Sequence, residues 1–465
     1  MTLIKSISGI RGIIGGVPGD NLTPDDIVKY TSAFGIWVKK SAKLKKVIIG
    51  RDARSSGEMV SGIVTSTLIA LGIDVVDLGL SSTPTVQIAV SDEKAGGGIM
   101  ITASHNPVQW NALKLLNRAG QFLTSQEGLE VQNIAENGKI VYEPVGKLGV
   151  LTRDPDYFQR HIDKILELPL VDPEAIGARN FHVAIDCVNS SGGIGVPMLL
   201  KALGVTQVTG YFCEPNGQFP HNPEPLPENI THICDEMKNG NFDIGIVVDP
   251  DVDRLVLISE DGTPYGEEYT LVAVADYVLS HTPGTAVSNL SSSRALKDLA
   301  VKKHGKYFAS AVGEANVVAL MKEKKAVIGG EGSGGIIYPP LHYGRDALVG
   351  IALFLSHLAK SGKSASMLRA GYPDYHISKN KIEITPGIDL DKILEEIKKK
   401  YKKYEINTTD GVRIDFENEW VHLRKSNTEP VIRIIAESDM DSKSQSLARK
   451  IIQDIREIIS EKSEV

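Results

Sequence analysis

The chain has 465 residues, 23% of them charged, and a formal net charge of -7 at pH 7. That length exceeds a single core and predicts roughly three to four domains, and the acidic balance excludes a surface built wholly to bind nucleic acid. Any anionic ligand must therefore meet a local basic cluster. Cys187, Cys213 and Cys234 form neither a CxxC pair nor an even disulfide framework, which predicts a reducing, cytoplasmic setting. The first residues, MTLIKSISGIRGIIGG, show no apolar h-region or cleavage site, and no uncharged apolar run approaches about 18 residues, so a soluble protein without a membrane partner is expected.

In chain order, SGIRG sets Arg11 between glycines, and KKVIIG followed by MVSGIVTSTLIALG reads as strand then helix. GRDARSSG carries Arg51 and Arg54. Arginines among glycines suit close approach of an anion, although Arg–Asp pairs on turns are more often structural. The glycines Gly96 to Gly98 and the apolar run Ile99 to Ile101 lead into TASHNP at 102–107. Ser104 there fits a turn residue, a helix cap, a hydrolase nucleophile or a phosphate carrier; the hydrolase reading lacks the G-x-S-x-G elbow. FHVAIDC and GVPMLLKALG repeat the strand–helix alternation, so a parallel or mixed sheet is expected. VIIGRDARSSG, VAIDCVNSSGG and AVSNLSSSRAL share one plan, in which a strand, a polar residue and a serine pair precede a helix that the serines are expected to cap. This weak repeat implies three similar α/β domains.

After the strand DIGIVV comes DPDVDR, 249–254. Carboxylates at i, i+2 and i+4 on a tight loop converge on one hard cation, since oxygen ligands suit Mg²⁺. An EF-hand opens similarly, but Arg254 stands where its sharp turn needs glycine, and the flanks read as strands. GGEGSGG at 329–335 matches G-x-G-x-x-G, yet IIYPP follows where a dinucleotide site needs a helix. A loop presenting Glu331 and Ser333 to a polar ligand competes there with a plain connector. SGKS at 361–364 lacks the leading glycine of a Walker loop, which removes support for ATP-driven transfer. Past GYPDYH the pattern becomes a small α+β unit closed by an amphipathic helix from about 442. In it RKSNTEPVIR, 424–433, sets Arg424, Ser426, Asn427, Thr428 and Arg433 between two strands, a donor set suited to a phosphate dianion or simply a hairpin loop. Breaks in pattern place four domains at 1–153, 154–259, 260–372 and 373–465.

TASHNP, DPDVDR, GEGSGG and RKSNTEP, in this order, resemble the α-D-phosphohexomutase family, which includes phosphoglucomutase, phosphomannomutase and phosphoglucosamine mutase. The likeness runs from SGIRG to the last loop. It implies three mixed-sheet α/β domains and a smaller C-terminal α+β domain around a central cleft. It further implies that Ser104 carries a phosphoryl group, with Mg²⁺ held by Ser104, Asp249, Asp251 and Asp253, and with His105, Arg11, Lys114 and Arg254 around it. Hexose 1-phosphate and hexose 6-phosphate would interconvert through a hexose 1,6-bisphosphate. Glu331 and Ser333 would grip the sugar, while Arg424, Ser426, Asn427, Thr428 and Arg433 hold the idle phosphate. The expected partner is a small hexose phosphate, bound by a monomer or homodimer.

Three departures stand out. Gly335 replaces a histidine that serves many relatives as candidate base, which leaves His105, Lys114 or Arg345; an arginine stays protonated, so His105 is favoured. Val252 stands where glycine is common. Glu314, in VGEAN, leans the reading toward phosphoglucosamine mutase, because a carboxylate pairs with an amino sugar's ammonium. A metal-dependent phosphatase and a catalytically silent sugar-phosphate sensor are the competing readings.

Overall fold

A computed structural model describes residues 2–42, 44–383, 389–425 and 431–463. Four sheets follow one another along the chain. In the first, the strands Leu151–Arg153, Asp74–Leu80, Lys46–Arg51 and Gly97–Ile101 run parallel, and Trp110–Asn117 and Gly9–Ile13 continue the sheet antiparallel to Ile4–Ser6. The second sheet orders Gln207–Tyr211, His182–Asp186 and Ile244–Val248 in parallel, then Leu255–Ser259 antiparallel. The third does the same with Lys306–Ser310, Thr285–Asn289, Ile328–Glu331 and Gly335–Ile337. The fourth is wholly antiparallel, in the order His376–Glu383, Val431–Ser438, Trp420–Lys425, Val412–Asp415 and Glu405–Asn407.

One device recurs in the first three sheets. A buried parallel strand ends, a short loop reverses the chain, and an antiparallel strand returns beside it. Strands buried on both faces read as continuous apolar runs, as Gly97–Ile101 and Ile244–Val248 do with every residue buried. Residues 102–109, 249–254 and 332–334 are the three reversals. Each therefore lies at the carboxyl end of a parallel strand, the place where open α/β sheets bind ligands.

The serine pairs do less capping than the sequence suggests. Ser56 and Ser191 precede the helices Gly57–Ala70 and Gly192–Ala202 without a side-chain cap, and only Ser293 accepts from a helix amide, Ala295 N at 3.1 Å. Their hydroxyls pin neighbouring loops instead. Ser190 and Ser191 donate to the Pro250 carbonyl at 2.8 and 2.9 Å, Ser56 accepts from Asn111, and Ser292 accepts from Gly332 N. Tertiary contacts to the loops overrode the local capping preference.

Of the apolar clusters among the described residues, three are the largest. The first sheet closes over Phe34, Val47, Ile99 and Leu113; the second and third sheets share one core through Phe158, Leu257, Tyr277 and Phe354; the fourth has its own around Ile397, Leu423 and Ile434. Behind the loops, a buried polar chain ties the first three sheets together. Thr85 Oγ1 meets His161 Nδ1 at 3.0 Å, and His161 Nε2 meets Asp346 Oδ2 at 2.8 Å. His342 Nε2 reaches the same oxygen at 3.2 Å, while Asp346 Oδ1 caps the helix Ala347–Ser361 by accepting from Leu348 N and Val349 N. The fourth sheet is joined differently, by polar contacts such as Arg294 N to Glu437 Oε1 at 3.0 Å, Ser291 Oγ to His422 Nδ1 at 2.9 Å and Val312 N to Asp410 Oδ2 at 2.9 Å.

Replacing Asp346 with alanine removes a helix cap and takes a partner from the buried His161 Nε2 and the half-buried His342 Nε2. The expected loss is about 3 kcal/mol or more of stability, read as a lower urea midpoint with the helix content of the folded state retained.

Candidate functional site

The three reversals and the fourth sheet face one cleft of about 610 Å³, lined among others by Arg11, Ser104, Lys114, Glu331 and Arg433. That lies within the roughly 300–1,000 Å³ common for small-molecule sites. Ser104 sits in the left-handed region at φ 50°, so the loop bends sharply and its hydroxyl turns toward the second sheet. There Ser104 Oγ donates to Asp249 Oδ2 at 2.8 Å. His105 Nδ1 is 3.4 Å from the same hydroxyl.

Arg54 holds this loop in place from behind. Its buried guanidinium donates to the carbonyls of Ser104 at 2.5 Å, Asn106 at 2.6 Å, Pro107 at 2.6 Å and Trp110 at 3.1 Å. Asp52 orients that guanidinium through Nε at 3.0 Å and also accepts from Thr102 Oγ1, whose oxygen in turn takes the Ser104 amide. The anion-contact reading of Arg51 and Arg54 is therefore overturned: every donor face of Arg54 is used within the protein, and Arg51 pairs with Glu58 outside the cleft. The five donors of a guanidinium suit a loop that must offer several carbonyls to one point.

Asp249, Asp251 and Asp253 are fully buried, with one carboxylate oxygen from each within 4.8 Å of the others. Val252 between them takes φ 60°, unusual for a β-branched side chain, and its burial in the shared core holds it there. Lys114 Nζ lies 2.6 Å from Asp251 Oδ2 and 3.4 Å from Asp253 Oδ2, and Arg345 Nη2 donates to Asp253 Oδ2 at 2.6 Å. Thr83 also donates its hydroxyl to Asp251. Burial and the two neighbouring aspartates push Asp249 well above the usual carboxylate range. Burial would raise Asp253 too, but Arg345, Lys114 and Arg254 hold it below that range. Asp251 Oδ1 and Asp253 Oδ1 are buried acceptors without a hydrogen bond among the described residues. Orphaned anionic oxygens converging beside a serine hydroxyl are the donor set of a hard divalent cation, and these residues fit one.

Around the hydroxyl, Arg254 Nη1 pairs with Glu224 Oε1 at 3.2 Å, and His105 Nε2 is 3.9 Å from the same oxygen. Burial and then Arg254, with Lys114 and Arg11 adding to it, hold the His105 imidazole well below its ordinary value and hence neutral at pH 7. Arg11 lines the cleft near Arg433, and burial together with that second cation lowers it. Arg424 lines the cleft as well, with Nε 2.9 Å from Asp410 Oδ2. Ser426, Asn427 and Thr428 lie outside the described residues.

On the third sheet, Glu331 Oε1 accepts from Asn289 Nδ2 at 2.9 Å and Gly313 N at 3.0 Å, and Oε2 accepts from Arg345 Nη1 at 3.0 Å. Ser333 lines the cleft beside it. Arg345 Nε takes Glu314 Oε2 at 3.0 Å, and Gln87 Nε2 takes Glu314 Oε1 at 3.1 Å. Each Glu314 oxygen thus accepts one hydrogen bond within the protein while the residue still lines the cleft, so a sugar ammonium there would share the carboxylate with Arg345 and Gln87. Gly335 has a spatial reason: a Cβ there would fall 2.3 Å from Arg345 Cδ. The arginine stem fills the space that a side chain at 335 would need. Thr83, Gln87 and Glu224, which also build the site, lie in no motif the sequence offered, whereas Asp52 and Asn289 are the polar residues after the strands of VIIGRDARSSG and AVSNLSSSRAL.

The sequence matches the phosphoglucomutase/phosphomannomutase family in four successive parts: alpha/beta/alpha domain I over residues 4–140, domain II over 159–262, domain III over 266–375 and the C-terminal domain over 385–454. A phosphoglucomutase/phosphomannomutase of Thermococcus kodakarensis is 35% identical over 94% of this chain and 95% of its own length. A probable phosphoglucosamine mutase of Methanopyrus kandleri is 30% identical over 98% of each chain, and a phosphoglucosamine/phosphogalactosamine mutase of Sulfurisphaera tokodaii is 29% identical over 98% of each. Among solved structures, a phosphoglucomutase/phosphomannomutase family protein of Burkholderia thailandensis superposes with a TM-score of 0.82 at 26% identity, covering 98% of this chain and 97% of that one. Four matched parts in the family's order, over a cleft where a serine hydroxyl meets three buried aspartates, make this chain a member of the phosphoglucomutase/phosphomannomutase family, an isomerase of the phosphohexomutase type.

Proposed function

We propose that the chain interconverts the 1-phosphate and 6-phosphate of a hexose, with Ser104 as phosphoryl carrier and an amino-sugar phosphate as preferred substrate. The observation that carries the reading is the Ser104 Oγ to Asp249 contact at 2.8 Å, which sets a loop hydroxyl in the cleft against a carboxylate triad. Asp249, Asp251 and Asp253, with an oxygen on Ser104, would hold Mg²⁺. When bound, Mg²⁺ supplies the positive charge that lets a phosphoryl group leave an alkoxide.

The protein's own groups account for the rest. A substrate hydroxyl attacks phosphorus as the bond from phosphorus to Ser104 Oγ breaks, and the hydroxyl proton leaves to a base. His105 is the base we assign; its neutrality and its 3.4 Å distance from Oγ support a part in proton transfer at the serine end of the reaction. The resulting bisphosphate turns over in the cleft, and its other phosphoryl group returns to Ser104. Lys114, Arg11 and Arg254 offset charge on the moving group. Arg424 and Arg433, with Ser426, Asn427 and Thr428, hold the phosphate that is not reacting, and Glu331 and Ser333 hold sugar hydroxyls in either orientation. Exclusion of water separates transfer to a sugar from hydrolysis, so the same site distinguishes a mutase from a phosphatase by its yield of free phosphate.

Sugar preference rests on the two phosphoglucosamine mutase relatives at 98% coverage. The 35% identical phosphoglucomutase/phosphomannomutase relative supports the alternative of a glucose or mannose phosphate. Higher kcat/KM on glucosamine 1-phosphate than on glucose 1-phosphate or mannose 1-phosphate is expected with Mg²⁺ present; equal values defeat the preference.

Ser104→Ala should abolish turnover while sparing substrate binding. Intact-mass spectrometry of the wild type after incubation with a hexose bisphosphate should show one added phosphoryl group that the variant lacks, and turnover retained by the variant would end the carrier assignment. Chelation with EDTA should stop turnover, and added Mg²⁺ should restore it. Arg54→Lys, which exchanges a fork for a single point of charge, should lower kcat by about 100-fold with KM little changed, since it misplaces the loop without touching the substrate.

A further inference from the structure

Of the carboxyl groups that line the cleft, most are already held by cations. Glu314 and Glu331 share Arg345, and Glu224 pairs with Arg254. Glu268 differs. It stands in the first turn of the helix Glu267–His281, half-buried, and among the described residues its side chain's one hydrogen bond is from a backbone amide, Ser293 N to Oε2 at 2.9 Å. The nearest cation, Lys379, is engaged by the neighbouring Glu267. Its carboxylate lies directly against the sugar loop: a Cβ on Gly332 would fall 1.9 Å from Oε1 and 2.1 Å from Oε2. Gly332, between Glu331 and Ser333, is thus the residue that leaves room for this carboxyl to reach the cleft.

We propose that Glu268 is a direct substrate contact that recognises the amino substituent of an amino-sugar phosphate held by the loop of Glu331 and Ser333. The inference rests on the mutase reading above and moves the task of pairing with an ammonium from Glu314, which shares Arg345, to a carboxyl whose nearest cation, Lys379, is bonded to Glu267 instead. A hydroxyl in the same place donates to the carboxylate without bringing a positive charge, so it lacks the ion-pair attraction that an ammonium adds. Burial pushes Glu268 up to about 8, the Ser293 amide and Lys379 pulling the other way and Glu267 and Glu437 adding to the rise. An arriving ammonium supplies what burial withholds. Since the free carboxyl is protonated below about 8, pairing requires loss of that proton, and kcat/KM for the amino sugar should rise with pH until about 8. The groups facing it are Glu267 on its own helix, Lys379 and Glu437 from the fourth sheet, and Glu224 beyond Lys379.

The test compares wild type with Glu268→Gln, nearly identical in shape, on glucosamine 1-phosphate and glucose 1-phosphate across pH 6 to about 9, a window bracketing the titration. The amino-to-neutral ratio of kcat/KM should fall at least about tenfold in the variant, and the part of the amino-sugar profile that differs from wild type should be the limb near 8. The sugar's own amine titrates identically with both proteins, so the difference belongs to Glu268. Gly332→Ala, whose methyl displaces the carboxyl, should shift the ratio in the same direction and serves if the first variant does not fold. An unchanged ratio in active variants overturns this assignment alone, whereas a wild type that interconverts no hexose phosphate overturns the mutase reading and this inference with it.

Discussion

Three carboxylates brought within 4.8 Å in a buried loop repel one another, and the way the protein balances that repulsion organises the rest of the site. Lys114 reaches in from the first sheet and Arg345 from the third, each taking an outer oxygen of Asp251 or Asp253 and leaving the other for a cation. Ser104 completes the set from the first domain. The cluster is therefore a junction of three domains, none of which holds the charge by itself. The buried chain Thr85–His161–Asp346–His342 runs behind it and fixes the same three domains to one another, with Asp346 next in sequence to Arg345.

Glycines in the sugar loop make sense only against this arrangement. Gly335 leaves room for the stem of Arg345, and Gly332 for the carboxyl of Glu268. Each is a small residue because a functional side chain from elsewhere occupies the volume that a Cβ would need. The space beside Gly335 is filled by the Arg345 stem, and the site gains a guanidinium linking Asp253, Glu314 and Glu331.

The fourth domain stands apart energetically. Its core is closed within its own sheet and two helices, and it meets the third domain through amide, hydroxyl and imidazole contacts. Polar interfaces of this kind are more readily separated than apolar ones. Arg424 and Arg433 ride on this unit and face Arg11 and Arg254 across the cleft, so cations from both sides meet whatever anion lies between. A cluster of like charges without a ligand favours an open cleft, and a bound phosphate changes the sign of that balance.

Much of this was legible in the sequence. Ser104, the aspartate loop and the strand ends that carry them follow from contiguous residues, because a tight reversal after an apolar strand is a local matter and its chemistry is written within six positions. The alternation of strands and helices likewise announced three α/β units and a differing fourth. What remained hidden depended on distant partners. The serine pairs read as caps but bind the loops of adjacent strands, and Arg54, legible either as an anion contact or as a structural partner of an aspartate on a turn, pairs with Asp52 and clamps four carbonyls. Nothing in the sequence hinted that Glu314, which lines the cleft, also accepts from Arg345 and Gln87, and Glu268 carried no motif at all. Local pattern determined which groups the chain presents; only packing between domains decided which of them would be spent on one another and which left open to a ligand, since a charged side chain's partner is chosen by proximity in space and not by spacing along the chain.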